Sequence, residues 1–322
     1  MIVCRCLLAA AVLAVSTGLA LAQPTPDCGK AQTASEKAIC GNPELAAADA
    51  AMGAAFAALA KTMPPAQQTA LKLNQRAWIT DRDGGCSEKK DDALAQCLLD
   101  ATRTRQHFLI GEGDNGPAGA PPLLPSFFYE SKKKAYEITI AYPQAGAAPK
   151  FNAAVHDAIF GKDALSEYRQ NGPNRFNGSS NFYQASYDIT YLDPHLAAVT
   201  LSFGAYAGGA HPTGWRIALL WDMATDKPIG LDAILADPKN AVPAISALCK
   251  AQAEKEDWGL FDNPDFESVV QDTKSWSVAK DGVTILFDAY SVAPYVAGPH
   301  ECRLTYAELK EWLKPGGSLP PR

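Results

Sequence analysis

Residues 196–223 read LAAVTLSFGAYAGGAHPTGWRIALLWDM. The runs at 196–208 and 215–223 have the length and residue types of strands, and a short connection containing Gly208, Gly209, His211 and Pro212 joins them. That pattern predicts an antiparallel hairpin. Working outward, YEITIAYP (136–143) and FYQASYDITYLD (182–193) precede it and GVTILFDAYSV (282–292) follows, all strand-like. Helical stretches fall at about 149–159, 238–256 and 306–313. Strict alternation of strand and helix is missing, which excludes a doubly wound parallel sheet. The expectation is α+β, with a largely antiparallel sheet and packed helices over residues 127–322.

Residues 33–108 follow a different grammar, rich in Ala, Leu, Gln and Lys and without β-branched alternation. Thr33 and Glu36 have capping-box spacing before a short helix ending near Cys40. Asn42, Pro43 and Glu44 suit the start of a second helix, whose Leu45, Ala48, Met52, Ala55, Phe56 and Leu59 form one apolar face. Pro64 and Pro65 end that helix. A third is expected from about Gln67 to Arg82, with Leu71, Gln75, Trp78 and Ile79 inward and the glycines of DGGC stopping it. A fourth should span about Asp91 to Leu109. Together they make a small helical bundle over residues 23–110. The Gly- and Pro-rich stretch at 111–126 reads as a linker to the sheet domain.

The first 22 residues carry Arg5, an apolar run from Leu7 to Leu21, and Ala20 and Ala22. They read as a signal peptide cleaved after Ala22, giving a periplasmic or secreted protein. Gln23, not cysteine, would begin the mature chain, so no lipid or membrane anchor is expected. Six cysteines remain: Cys28, Cys40, Cys86, Cys97, Cys249 and Cys302. An even number in an exported chain reads as disulfides. The first four allow three connectivities, of which closeness in sequence favours Cys28–Cys40 with Cys86–Cys97. A bridge between Cys249 and Cys302 would pin a helix to the last strand, stabilising by roughly 2 to 4 kcal/mol.

Charge divides the chain. Residues 27–110 hold ten basic and ten acidic side chains, whereas residues 111–322 hold 18 basic and 25 acidic. Seven of those acids lie in EKEDWGLFDNPDFESVVQD, residues 254–272. Such a surface repels nucleic acid and steers basic partners, though it also serves solubility alone. The five histidines show no metal-ligand spacing, no cysteine pair forms CxxC, and there is no GxSxG, phosphate loop or dinucleotide fingerprint. No metal, cofactor or catalytic residue is expected.

The hairpin connection holds the candidate binding residues. Gly208 and Gly209 permit positive φ, and Tyr206 and Trp215 bracket them with rings suited to anchoring a partner. His211 reads either as part of that surface or as a histidine whose ring nitrogens satisfy nearby carbonyls.

DCGKAQTASEKAICGNPELAAADAAM, NQRAWITDRDGGC and QCLLDATRTRQHFL resemble the cysteine-framed helical domain of LprI-type lysozyme inhibitors. From about residue 127 to 314, YAGGAHP, NPDFESVV and GVTILFDAYSVAPYVAGPHECRLTYAEL resemble the domain shared by the RsiV anti-sigma factor, a lysozyme receptor, and the PdaC peptidoglycan deacetylase. Tyr206, Gly208, Gly209 and His211 match its Gly-Gly-x-His signature; Tyr290, Pro294, Tyr295 and Gly298 match its Tyr-x-x-x-Pro-Tyr-x-x-Gly signature. The resemblance implies a binder of a lysozyme-like basic protein, contacted by Tyr206, His211 and Trp215 above a wall of Tyr290 and Tyr295. The alternative it implies is a non-catalytic module of the cell envelope that holds peptidoglycan. Hydrolysis through His211 is a third reading.

Overall fold

The computed structural model describes residues 26–116, 118–161, 163–169 and 180–320. The leader assigned to residues 1–22 lies outside them. Four helices come first: α1 (Ala34–Gly41), α2 (Pro43–Thr62), α3 (Pro65–Cys86) and α4 (Asp91–Ile110). Their starts follow the local chemistry. Thr33 and Glu36 form both halves of a capping box, and the Asn42 side chain accepts from the N–H groups of Glu44 and Leu45 ahead of Pro43. Disulfides join Cys28 to Cys40 and Cys86 to Cys97.

Two details of α3 correct the sequence reading. The helix runs on through Gly84 and Gly85 to Cys86, since neither glycine takes a positive φ and the bridge to α4 fixes its last residue. Ile79 lies outward at 36% exposure. Leu71 and Gln75 are buried as expected. Gln75 Oε1 accepts from Nε of Arg105 at 2.9 Å, and Asn74 Oδ1 accepts from the same guanidinium at 2.7 Å. Trp78 and Phe108 flank that cation, and burial brings its pKa down to about 10.

The remaining elements are β1 (Leu123–Lys132), β2 (Tyr136–Ala145), α5 (Pro149–Phe160), β3 (Asn181–Leu192), β4 (Leu196–Tyr206), β5 (Thr213–Asp222), β6 (Lys227–Pro228), α6 (Leu231–Ile234), α7 (Pro238–Lys255), α8 (Phe266–Val270), β7 (Trp276–Val278), β8 (Gly282–Phe287), β9 (His300–Thr305) and α9 (Tyr306–Leu309). Strands β1 to β6 form one sheet in chain order, and β7 to β9 a second. All pairs are antiparallel except β2 with β3, which are parallel and joined through α5. The fold is α+β, as expected from the hairpin, whose β4 and β5 pair from Leu196↔Asp222 to Ala205↔Thr213.

Three differences follow from packing. Strand β1 begins within the stretch read as a linker, where Leu123 is fully buried. Gly111 at the end of α4 has φ 74°, and a Cβ there would lie 2.6 Å from the Leu123 carbonyl, so α4 turns directly into the sheet. The run at 282–292 stops being strand at Phe287, because Asp288 turns to hold Arg216. The final helix ends at Leu309, short of residue 313.

One core crosses the join between helices and sheet. Met52, Phe56, Leu71 and Leu109 belong to the same buried cluster as Leu123, Phe127, Ile138 and Val199. Phe108 packs its ring against Phe127 and Tyr187 at 6.2 and 5.1 Å. A smaller helical core holds Ile39, Leu45, Leu94, Leu98 and Leu99. The second sheet and α7 enclose Ile245, Trp276, Ile285 and Phe287, together with Cys249 and Cys302. Those two cysteines are bridged.

Candidate binding surface

The hairpin ends where the two sheets meet, and that meeting is secured by one guanidinium. Arg216 on β5 donates from Nε to Asp288 Oδ1 at 2.9 Å and from Nη1 to Glu301 Oε1 at 3.0 Å. Its Nη2 donates to the carbonyls of Phe287 and His300, and its backbone N–H to Asp288 Oδ2. With its donors directed at acceptors on β8, β9 and the turn between them, Arg216 acts as a clamp between sheets. Thr190 and Thr200 add hydroxyl bonds to Val278 and Ser277.

The clamp positions an aromatic cluster. His211 stacks on Tyr295 with centroids 3.6 Å apart and ring planes 17° from parallel. Tyr290 lies 6.4 Å from His211 and 5.7 Å from Tyr295. Nδ1 of His211 is 2.8 Å from the Pro212 carbonyl, an acceptor only, so in the neutral ring Nδ1 carries the proton. Nε2 then accepts from the Tyr290 hydroxyl at 3.3 Å. The Tyr295 hydroxyl also donates to the Pro212 carbonyl, at 2.8 Å. Two chain segments some 80 residues apart, residues 211–212 and 290–295, therefore form one surface.

Tyr290 is 57% exposed and has a φ of 72°, a left-handed conformation that costs a non-glycine residue roughly 1–2 kcal/mol. Such strain persists where the surroundings impose it, and it concentrates at functional positions. Here the Tyr290 N–H is tied to the Ala293 carbonyl. Val296, next to Tyr295 in the chain, is 92% exposed, and Phe261 is 41% exposed. The Phe261 N–H donates to the Val292 carbonyl at 3.0 Å, which ties the acidic segment to the turn between Tyr290 and Tyr295. All seven of its acids are exposed.

The other hairpin residues have different placements. Tyr206 is 6% exposed and its hydroxyl donates to the Gly209 carbonyl at 3.0 Å, so it secures the turn from inside. Gly208 and Gly209 have φ of 109° and 107°, the freedom that lets the chain reverse above that tyrosine. Trp215 lies flat on Phe203, 4.8 Å away and 3° from parallel. It lines a groove of about 440 Å³ together with Tyr295, Asp288 and Pro299. Arg216, Asp288, Phe261 and Val296 were not singled out in the sequence. An arginine within the apolar run WRIALLWDM, and an aspartate ending ILFD, were the available signals.

Residues 28–109 match the family described as lysozyme inhibitor LprI, residues 129–213 deacetylase PdaC, and residues 232–307 a protein family of unknown function, DUF3298. An LprI-type segment thus precedes a PdaC- and DUF3298-type one. Immunogenic protein MPT64 of Mycobacterium tuberculosis and MPB64 of Mycobacterium bovis are each 27% identical over 173 residues, 51% of this chain and 72% of theirs. A DUF3298 family crystal structure from Bacteroides fragilis is 20% identical, with a TM-score of 0.48, and the match covers 60% of this chain and 94% of that one. The LprI-type segment contains both short-range disulfides and the capping box. His211 closes the PdaC-type stretch, whereas Tyr290 and Tyr295 lie in the DUF3298-type one, so the cluster straddles the two matches. The LprI match supports a lysozyme-inhibiting or lysozyme-binding role in general, and with the disulfides it suggests an extracellular or periplasmic location.

Proposed function

We propose that this protein is an exported inhibitor that docks on a basic, lysozyme-like muramidase through the Tyr290–Tyr295–His211 cluster, after removal of the leader at residues 1–22. The observation that carries this reading is the Phe261-to-Val292 hydrogen bond, which joins a segment carrying seven exposed acids to the turn that holds an exposed and strained aromatic anchor. A central apolar anchor with a charged surround is the arrangement of a protein-binding hot spot, and the charge raises association with a cationic partner. Trp215 and the groove beside it would receive a further part of the partner. Tyr206, Gly208 and Gly209 hold the loop in shape rather than meet the partner.

Titration of the full-length exported chain into a muramidase assay tests this. Inhibition should occur at low ionic strength, with an association rate that falls steeply as salt is added. Absence of inhibition, or an association rate insensitive to salt, overturns the docking mechanism. The groove lined by Trp215 and Tyr295 favours a second reading, a non-catalytic peptidoglycan-binding module, since flat aromatic faces suit sugar rings. Retention on purified sacculi without retention of muramidase would select it.

A further inference from the structure

The helical half contains a cavity of its own. Helices α1, α2 and α3 enclose a cavity of about 250 Å³, smaller than the roughly 300–1,000 Å³ of drug-sized ligand pockets. Its walls are Ile39, Met52, Phe56 and Ile79, and its polar groups include Asp49 and Arg82. Ile79 and Thr33 at its edge are exposed, whereas Asp49 is 3% exposed. The Asp49 carboxylate is incompletely paired. Oδ1 lies 3.5 Å from Arg82 Nη1, and Oδ2 has no hydrogen-bond partner among the described residues. Arg82 is held more closely by Asp83, at 2.9 Å through both Nε and Nη2. Glu36 lines the cavity too, but its carboxylate is taken by the Gln32 and Thr33 N–H groups, so Asp49 and Asp83 share the one guanidinium.

A buried carboxylate oxygen without a donor is costly, and a positively charged donor relieves that cost best. The apolar walls suit methylene groups and exclude a bare ion, which would bring no surface to cover them. Long basic side chains combine these two properties. We propose that this cavity receives one alkyl-guanidinium or alkyl-ammonium group, its stem against Ile39, Met52, Phe56 and Ile79 and its head at Asp49. Its source is an arginine or lysine side chain of a bound protein. That assignment of source rests on the muramidase reading; the cation site itself does not.

The test uses the full-length exported chain carrying 13C-methyl methionine, with Nα-acetyl-arginine amide as probe. Met52 lines the cavity, whereas Met223, packed against the same extended core, does not. The Met52 methyl signal should shift saturably and the Met223 signal should not, and Nα-acetyl-alanine amide should shift neither. Asp49→Asn should weaken the probe about tenfold or more. Because that variant alters a buried pair, Ile79→Trp, which fills the mouth and leaves Asp49 intact, should weaken it as well. A Met52 signal that never moves, or a probe affinity that neither variant lowers from that of the unaltered protein, overturns the site. Continued muramidase inhibition in that event would leave the docking reading standing. Probe binding without muramidase inhibition would remove the docking reading and keep the cation site. If both hold, saturating probe should weaken muramidase binding; unchanged binding would overturn the protein source in favour of a free amine.

Discussion

The helices of residues 34–110 and the sheets that follow are held by contacts of different reach. In the helical half the disulfides close separations of 12 and 11 residues, and the caps act across two or three. In the sheet half the defining contacts join residues 72 apart at Arg216–Asp288, 79 at His211–Tyr290 and 88 at Thr190–Val278. Local contacts make a helix start where its sequence says. The binding cluster, by contrast, exists only once two distant segments have been brought together and clamped.

Removing bridges sharpens this contrast most. Closing a longer loop restricts the unfolded chain more, so replacing Cys249 and Cys302 by alanine, separation 53, should cost about 4 kcal/mol. Replacing Cys28 and Cys40, separation 12, should cost about 3 kcal/mol, and urea midpoints of the two double variants would rank them. An equal loss would show that the helical half depends on its staple as much as the sheets do. Arg216→Ala should cost about 2–4 kcal/mol, because Asp288 and Glu301 lose their cation and two carbonyls lose a donor. It should also disperse the aromatic cluster, read as loss of partner binding in variant protein kept well below its melting temperature.

Smaller effects separate local from distant roles. Thr33→Ala should cost about 1 kcal/mol and leave partner docking at the tyrosines unchanged. Tyr290→Gly should change stability by less than about 1 kcal/mol, since relief of the left-handed backbone offsets the lost ring, while muramidase binding weakens. Smallest is a pH effect. The Thr33 N–H, followed by that of Gln32, holds the Glu36 carboxyl below its ordinary 4.5. A lowered folded-state pKa stabilises above the unfolded value and is lost as pH falls through the folded one. The difference in melting temperature between the protein and Glu36→Gln should therefore be present at neutral pH and shrink below pH 4.5.

Legibility followed the same division. The capping box, the Asn42-Pro43 start, both short disulfides and the β4–β5 hairpin were readable because each is encoded by neighbours. Strand β1 was hidden by its context: Gly/Pro-rich sequence leads into it and Pro125 interrupts it, yet an edge strand tolerates proline. Ile79 shows the limit of periodicity, which places residues on a helix face without saying how far the neighbouring helices reach around it. At the candidate surface, the signature residues His211, Tyr290 and Tyr295 do converge, but their residue types could not foretell that Tyr206 turns inward. The clamp was invisible because an arginine in an apolar run reveals nothing of the carboxylates 72 and 85 residues downstream.

The first sheet ends in unlike strands, and both are poor templates for a neighbour. At one edge β1 lacks an amide proton at Pro125 and carries Glu130 and Lys132; at the other, β6 is two residues long and Asp288 already occupies the Arg216 N–H. Ribbon-like growth by edge-to-edge pairing of copies is thereby disfavoured. The first sheet can thus discourage pairing along its edges while the Tyr290 ring stays exposed where the two sheets meet.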